Sequence, residues 1–117
     1  MKDESMKADK IMNALIEIGV PAHLRGFAYI AYAEQLIMQN QAYMFGVTKS
    51  LYIDIAKAFA TSPCNVEHCI RTAIADGWKV TPIETKTKIF GNSIRQEKAH
   101  PTNAHFLMML HYYIDLQ

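Results

Sequence analysis

No stretch of this sequence is apolar over anything near the roughly 20 residues that a helix needs to cross a bilayer, so a transmembrane helix is excluded. The opening Met1-Lys2-Asp3-Glu4-Ser5 has no apolar segment of the kind a secretory signal carries, and a cytoplasmic location is the expectation. Cysteine is scarce. Cys64 and Cys69 sit five apart, which is no disulfide framework, and a cytoplasmic chain keeps them reduced. An excess of either charge is also lacking. Lys and Arg total 12, Asp and Glu total 11, and the net charge is +1, where a strongly basic nucleic-acid binder shows far more imbalance. Internal repeats, low-complexity tracts and convincing strand pairs are missing as well. What is present is a chain of 117 residues, 50% hydrophobic and 20% charged. That composition argues against intrinsic disorder and suffices for one domain with a single core.

The apolar pattern is helical nearly throughout. The expected fold is all-α, with about six helices containing a helix-turn-helix. Residues 11–117 are expected to form that one domain, behind a polar, flexible segment at residues 1–10. Ile11, Leu15 and Ile18 place one face of a first helix inward, and Gly19 supplies a left-handed stop. Pro21 is positioned to open the next helix. Phe27, Ile30, Ala33 (or Glu34), Ile37 and Met38 carry that helix to about residue 40. A short apolar piece, Ala42 to Phe45, ends at Gly46. Thr48 is an expected N-cap for a helix bearing Leu51, Tyr52, Ile55, Ala56 and Phe59. Ser62-Pro63 reads as a cap followed by proline in the first helical position. The helix after it buries Val66, Cys69 or Ile70, Ala73 and Ile74, and is expected to stop at Gly77, with Trp78 as a lid on the core. A weaker segment from Ile83 to Phe90 ends at Gly91, residues 92–100 read as loop, and Pro101-Thr102-Asn103 starts a last helix.

Residues 52–72 fit the helix-turn-helix template. Ala56 is the small residue where two helices approach closely, Ile55 and Phe59 flank it, and Ala60 or Thr61 fills the turn. With Val66 and Cys69 or Ile70 facing inward, helical spacing turns Asn65, Glu67, His68, Arg71 and Thr72 toward solvent. These side chains suit a major groove. Arg donates to guanine, Glu accepts from cytosine N4, Asn pairs with adenine, and a protonated His donates. Ser62, at a helix N-terminus, can donate to phosphate. From Lys49 to Lys98, eight basic residues oppose five acidic ones, a local +3 that allows a modest basic face. Lys49, Lys88 and Lys98 join Ser62 as candidate phosphate contacts.

A resemblance sharpens this reading. The runs Ile18-Gly19-Val20-Pro21-Ala22-His23-Leu24-Arg25-Gly26-Phe27 and Thr48-Lys49-Ser50-Leu51-Tyr52-Ile53-Asp54-Ile55-Ala56-Lys57 open it. Val66-Glu67, Ile70-Arg71, Ala73-Ile74, Trp78, Phe90-Gly91 and Lys98-Ala99-His100-Pro101-Thr102-Asn103 continue it in register. Over residues 11–116 the chain resembles the C-terminal DNA-binding domain of the sporulation initiation response regulator (stage zero sporulation protein A). Several matches fall on loops and caps, where core packing does not explain them. The resemblance implies a six-helix fold, sequence-specific duplex binding, transcriptional regulation, contact with the RNA polymerase sigma subunit, and tandem dimers on DNA. It places Glu67 and Arg71 in the recognition helix, Lys98 near the DNA backbone, Ile83 and Phe90 toward sigma, and the last helix in the subunit contact.

The departures matter as much. The family carries a phosphoacceptor receiver ahead of this domain, and the residues before Ile11 are too few for one. Asn65 and His68 stand where the family has arginine, Thr72 replaces a histidine and His100 a lysine. Each lost phosphate contact lowers the salt slope by about 0.9, and each lost Arg–guanine pair removes about 1–3 kcal/mol of discrimination. The family's operator is therefore not carried over. Two bland readings stand beside the sharp ones: Glu67 pairs with Arg71 at i+4, and Asn65 serves the first helical turn near Ser62. Cys64 and His68, also i and i+4, are two ligands where a structural zinc site needs four, so no metal is expected; nothing supplies an orienting third group or oxyanion donors for a Cys/His hydrolase, so no catalytic residue is expected, nor any cofactor. The last helix is apolar around most of its circumference; one half belongs to the core, and Phe106, Met109 and Tyr113 are expected in a dimer interface. The function expected is a transcriptional regulator that binds duplex DNA as a homodimer. The alternative, prompted by the lost arginines, is a protein-interaction modulator that pairs with a full-length regulator or with sigma.

Overall fold

The computed structural model describes residues 2–44, 48–91 and 100–117. The chain forms α1 (Lys2–Ile18), α2 (Arg25–Gln39), a single 3-10 turn (Gln41–Met44), α3 (Thr48–Phe59), α4 (Pro63–Val80), α5 (Ile83–Phe90) and α6 (Asn103–Asp115). Among the described residues there is no strand. The expected all-α, six-helix architecture is what folds. The loop expected at residues 92–99, Lys98 within it, and the side-chain cap expected of Thr48 lie outside the described residues.

The packing follows from the apolar stripes. α2 and α4 make the central contact, and α1 and α6 lie against α2. α3 joins α4, and α5 sits between α1 and α6. Ile11, Leu15 and Ile18 of α1 meet Phe27, Ile30, Ala33 and Ile37 of α2 in one core. Val66, Ile70, Ala73 and Ile74 of α4 and Phe106, Leu107, Leu110 and Ile114 of α6 complete it. Trp78 covers the core edge-on to Phe90, with ring centroids 5.1 Å apart. The ammonium of Lys86 stands 4.6 Å above the Trp78 ring.

Three local expectations differ from the structure. α1 starts at Lys2 rather than near Ile11. Lys, Glu, Met and Ala have high helix propensity, so the helix extends beyond its apolar stripe. Lys10 then ties it to the other chain end, its Nζ donating to the Gln117 carbonyl at 2.8 Å. Pro21 does not open α2. Residues 21–24 form a turn in which Leu24 N donates to the Pro21 carbonyl at 3.2 Å, and α2 begins at Arg25. Finally, α4 passes through Gly77 and ends at Val80. A Cβ on Gly77 would stand 3.1 Å from Val20, so this glycine serves close helix–loop packing rather than termination. Thr81 finishes the helix: its hydroxyl lies 2.7 Å from both the Ile18 and the Gly77 carbonyl oxygens, and its one proton serves either.

Candidate nucleic-acid interface

The helix-turn-helix is built from α3, a turn at residues 60–62 and α4. Ala56 is buried and lets the two helices close. α3 ends as Thr61 N donates to the Ala56 carbonyl at 3.0 Å, and Ala60 turns the chain with φ of +54°. That left-handed conformation is costly for a residue with a Cβ. Ser62 is extended and its side-chain oxygen accepts from Asn65 N at 3.1 Å, with Pro63 following as the first helical residue. An accepting Ser62 oxygen retains its own O–H for an outside acceptor.

From there α4 divides into two faces. Val66, Ile70, Ala73 and Ile74 are buried; His68, Arg71 and Thr72 are exposed, and Glu67 and Asn65 are half-buried. Glu67 and Arg71 form an ion pair at i+4, and the second Arg71 nitrogen lies 3.3 Å from His68 Nδ1. Glu67, His68 and Arg71 are thus brought together on one outward patch. Asn65 is not free in the same way. Its Nδ2 donates to Thr61 Oγ1 at 2.9 Å, and its Oδ1 faces Cys69 Sγ at 3.6 Å. In this structure Asn65 braces the turn. Phe59, which flanks Ala56 in the template, is exposed rather than buried and packs edge-on against Tyr29 and Tyr32, with centroids 5.0 and 5.6 Å apart.

Two contacts fix where this patch sits. Gly26 of α2 lies against the middle of α4: a Cβ there would stand 2.1 Å from the Cys69 carbonyl oxygen. Asn103, the first residue of α6, is 8% exposed, and its Nδ2 donates to Tyr52 Oη at 3.0 Å and to the Glu67 carbonyl at 3.1 Å. Burial raises the Tyr52 hydroxyl above its ordinary pKa, with the Asn103 hydrogen bond opposing that shift. Sequence reasoning gave Tyr52 and Asn103 only helix roles. Their link spans three elements and has no local signature.

The remaining expected site residues are scattered. Lys49 is exposed in the first turn of α3 and makes no ion pair among the described residues. Lys88 is engaged elsewhere, donating to Glu17 Oε2 at 2.5 Å and lying 5.4 Å from the Tyr113 ring centroid. Tyr113 donates to the other Glu17 oxygen at 2.8 Å. Those two hydrogen bonds hold Glu17 below the usual carboxylate range, and the Glu17 bond holds Lys88 above the usual lysine value. No described contact joins Lys88 to the Glu67–Arg71 patch. Ile83 is 59% exposed, but Phe90 is 1% exposed beneath Trp78 and Phe106. Phe90 therefore offers no surface to a sigma subunit, which corrects that expectation. Phe106, also 1% exposed, is likewise core rather than interface. Both face inward because α5 and α6 pack on each other through these rings, 5.6 Å apart. Met109 and Tyr113 are half-buried, and Tyr112 and Leu116 are exposed beside them. The spacing 109, 112, 113, 116 draws one apolar stripe on α6.

Cys64 and Cys69 are free thiols, and the described residues hold no cluster of three or more metal-ligating side chains. No described helix is long and apolar enough to cross a membrane. Compared with known families, residues 11–114 match the family model described as "Sporulation initiation factor Spo0A C terminal".

Proposed function

Since the chain belongs to the family of the C-terminal domain of the sporulation initiation factor Spo0A, a DNA-binding regulatory family rather than an enzyme family, we propose that it reads duplex DNA sequence-specifically and regulates transcription. The observation that carries this reading is the division of α4: one face locked in the core, the other presenting Glu67, His68 and Arg71 together. A helix of this kind fits the major groove with its N-terminal half against base edges.

Energetics favour exchange of the Glu67–Arg71 pair for base contacts. An exposed i,i+4 ion pair is worth about 0–1 kcal/mol, whereas a bidentate Arg–guanine contact is worth about 1–3 kcal/mol. Arg71 therefore gains by turning to guanine, which frees Glu67 to accept from cytosine N4. His68 adds a third polar contact. Asn65 positions the turn and reads adenine only by giving up Thr61. Phosphate contacts fall to Lys49, the Ser62 hydroxyl and Lys98, with Lys88 contributing only after release from Glu17. This small set predicts a salt slope of about −2 to −3 per bound copy, at about 0.9 per neutralised phosphate.

The α6 stripe of Met109, Tyr112, Tyr113 and Leu116 is the proposed contact between copies on DNA. Ile83, with the neighbouring exposed Val80, is the proposed contact toward the sigma subunit. A second reading, a modulator that works through protein contacts alone, is favoured by the intrahelical neutralisation of Arg71 by Glu67. Selection of a randomised duplex pool, followed by fluorescence-anisotropy titration at two salt concentrations, separates the two. Enrichment of one motif with salt-sensitive affinity supports the regulator. No enrichment, with weak binding only, refutes it in favour of the modulator.

A further inference from the structure

α2 and α6 meet through a buried ionisable pair that DNA reading does not use. Glu34 is 0% exposed and His111 2% exposed, and Glu34 Oε1 lies 3.6 Å from His111 Nδ1. Neither carboxylate oxygen of Glu34, nor His111 Nδ1, has a hydrogen-bond partner among the described residues. A lone charge in such a place is costly, and a shared proton removes it, because the pair with one proton carries no net charge. His111 also lines a pocket of about 220 Å³ with Lys7 and Lys10 of α1, Gln41 of the 3-10 turn, and Ile114 and Asp115 of α6, so one side of its ring borders open space.

We propose that Glu34 and His111 form a proton-dependent latch between α2 and α6: with one proton held in the seam α6 stays docked, and when that proton leaves, the last turns of α6 open. The charged surroundings are few. Among the described residues, His111 acts electrostatically on Glu34, and Glu34 and Asp115 act on His111; Lys7 and Lys10 line the pocket. Burial pushes Glu34 from 4.5 up to about 7 against the opposing pull of His111. The Glu34 carboxylate holds His111 above its ordinary 6.5, with desolvation opposing and Asp115 assisting. Both groups thus bind protons more tightly in the docked state. Their contribution is fully present below the ordinary values and is lost by the time pH has risen through the raised ones, so the latch loosens as pH climbs toward about 7 and stays loosened above it.

Amide hydrogen exchange of the full chain, from pH 5.5 to 8.5 and corrected for intrinsic exchange rates, tests the latch without requiring DNA or pairing. Protection at residues 110–115 should fall by up to tenfold per pH unit as pH rises from the ordinary values toward the raised ones, the limit for one linked proton, and level off above them, while the buried α4 amides change less. Glu34→Gln should flatten that dependence. The double change Glu34→Leu with His111→Leu, which keeps an apolar seam, should fold and be flat as well. Three results would each overturn the latch. They are flat protection in the natural chain, a slope that survives in the double variant, and a slope shared equally by α4 and α6.

Discussion

Gly26→Ala puts the helix crossing to a direct test. In an open helical position, replacing glycine by alanine stabilises by about 1 kcal/mol, because alanine has the better propensity. Here the added methyl would stand 2.1 Å from the Cys69 carbonyl oxygen and 2.6 Å from the Ala73 Cβ. Normal contact needs more than 3 Å, so α2 and α4 must separate by about 1 Å. A gap of that size forfeits about a quarter to a half of the dispersion energy of each atom pair it opens. The seam between Phe27, Ile30 and Ala33 on one side and Ile70, Ala73 and Ile74 on the other is the central contact of the fold. Overpacking costs about 1–3 kcal/mol where side chains can yield, and more where backbone is the obstacle. Setting the propensity gain against it, the net loss should be about 2–4 kcal/mol, a large share of a domain stability of about 5–15 kcal/mol. Urea denaturation followed by circular dichroism measures this, with an unchanged m-value showing that the denatured state is not responsible. A variant as stable as the parent, or more stable, would refute the close approach. The same displacement moves Cys69, which lies between His68 and Ile70, so DNA affinity should fall in the folded fraction as well.

The turn offers a change of opposite sign. Ala60→Gly removes the strain at φ +54° and should stabilise by about 1 kcal/mol in the same urea assay; a loss of stability would show that the turn is not left-handed. On selected DNA, Arg71→Ala should weaken specific binding by about 1–3 kcal/mol while leaving non-specific binding almost unchanged. Equal anisotropy titrations for both proteins would remove Arg71 from the reading surface. Tyr112→Asp, at the exposed centre of the α6 stripe, should shift sedimentation on a two-site duplex from two bound copies toward one. Unaltered occupancy would assign the stripe no part in pairing.

Much of this fold was legible because its signals are periodic. Ile11, Leu15 and Ile18, or Val66, Ile70, Ala73 and Ile74, can face one way only as helices, and all are buried. Ser62-Pro63 and Pro101-Thr102 announced helix starts, and Ser62 and Thr102 do accept from Asn65 N and His105 N. The outward set Glu67, His68 and Arg71 followed from the same arithmetic. What failed was information carried by partners distant in sequence. Gly77 read as a stop because glycine usually is one at a helix end; only the fold brings Val20 against it. The resemblance points Phe90 outward and the apolar circumference of the last helix leaves Phe106 free to face out, but each is the other's neighbour in the core. The spacing left Ala33 or Glu34 facing inward, and both are buried. No local pattern identifies His111 as the group Glu34 meets.

α6 is held at both ends by side chains that belong to other business. At its start Asn103 grips Tyr52 and the backbone of Glu67. Near its end Tyr113 grips Glu17, which also holds Lys88. The helix is therefore a strut, and a strut transmits load in both directions. A neighbour leaning on its outer stripe would tug the carbonyl of Glu67, and a groove closing over Glu67 would stiffen the stripe. By thermodynamic reciprocity the two events must help or hinder each other equally. If copies pair on DNA through that stripe as proposed, one amide side chain, that of Asn103, links the two contacts.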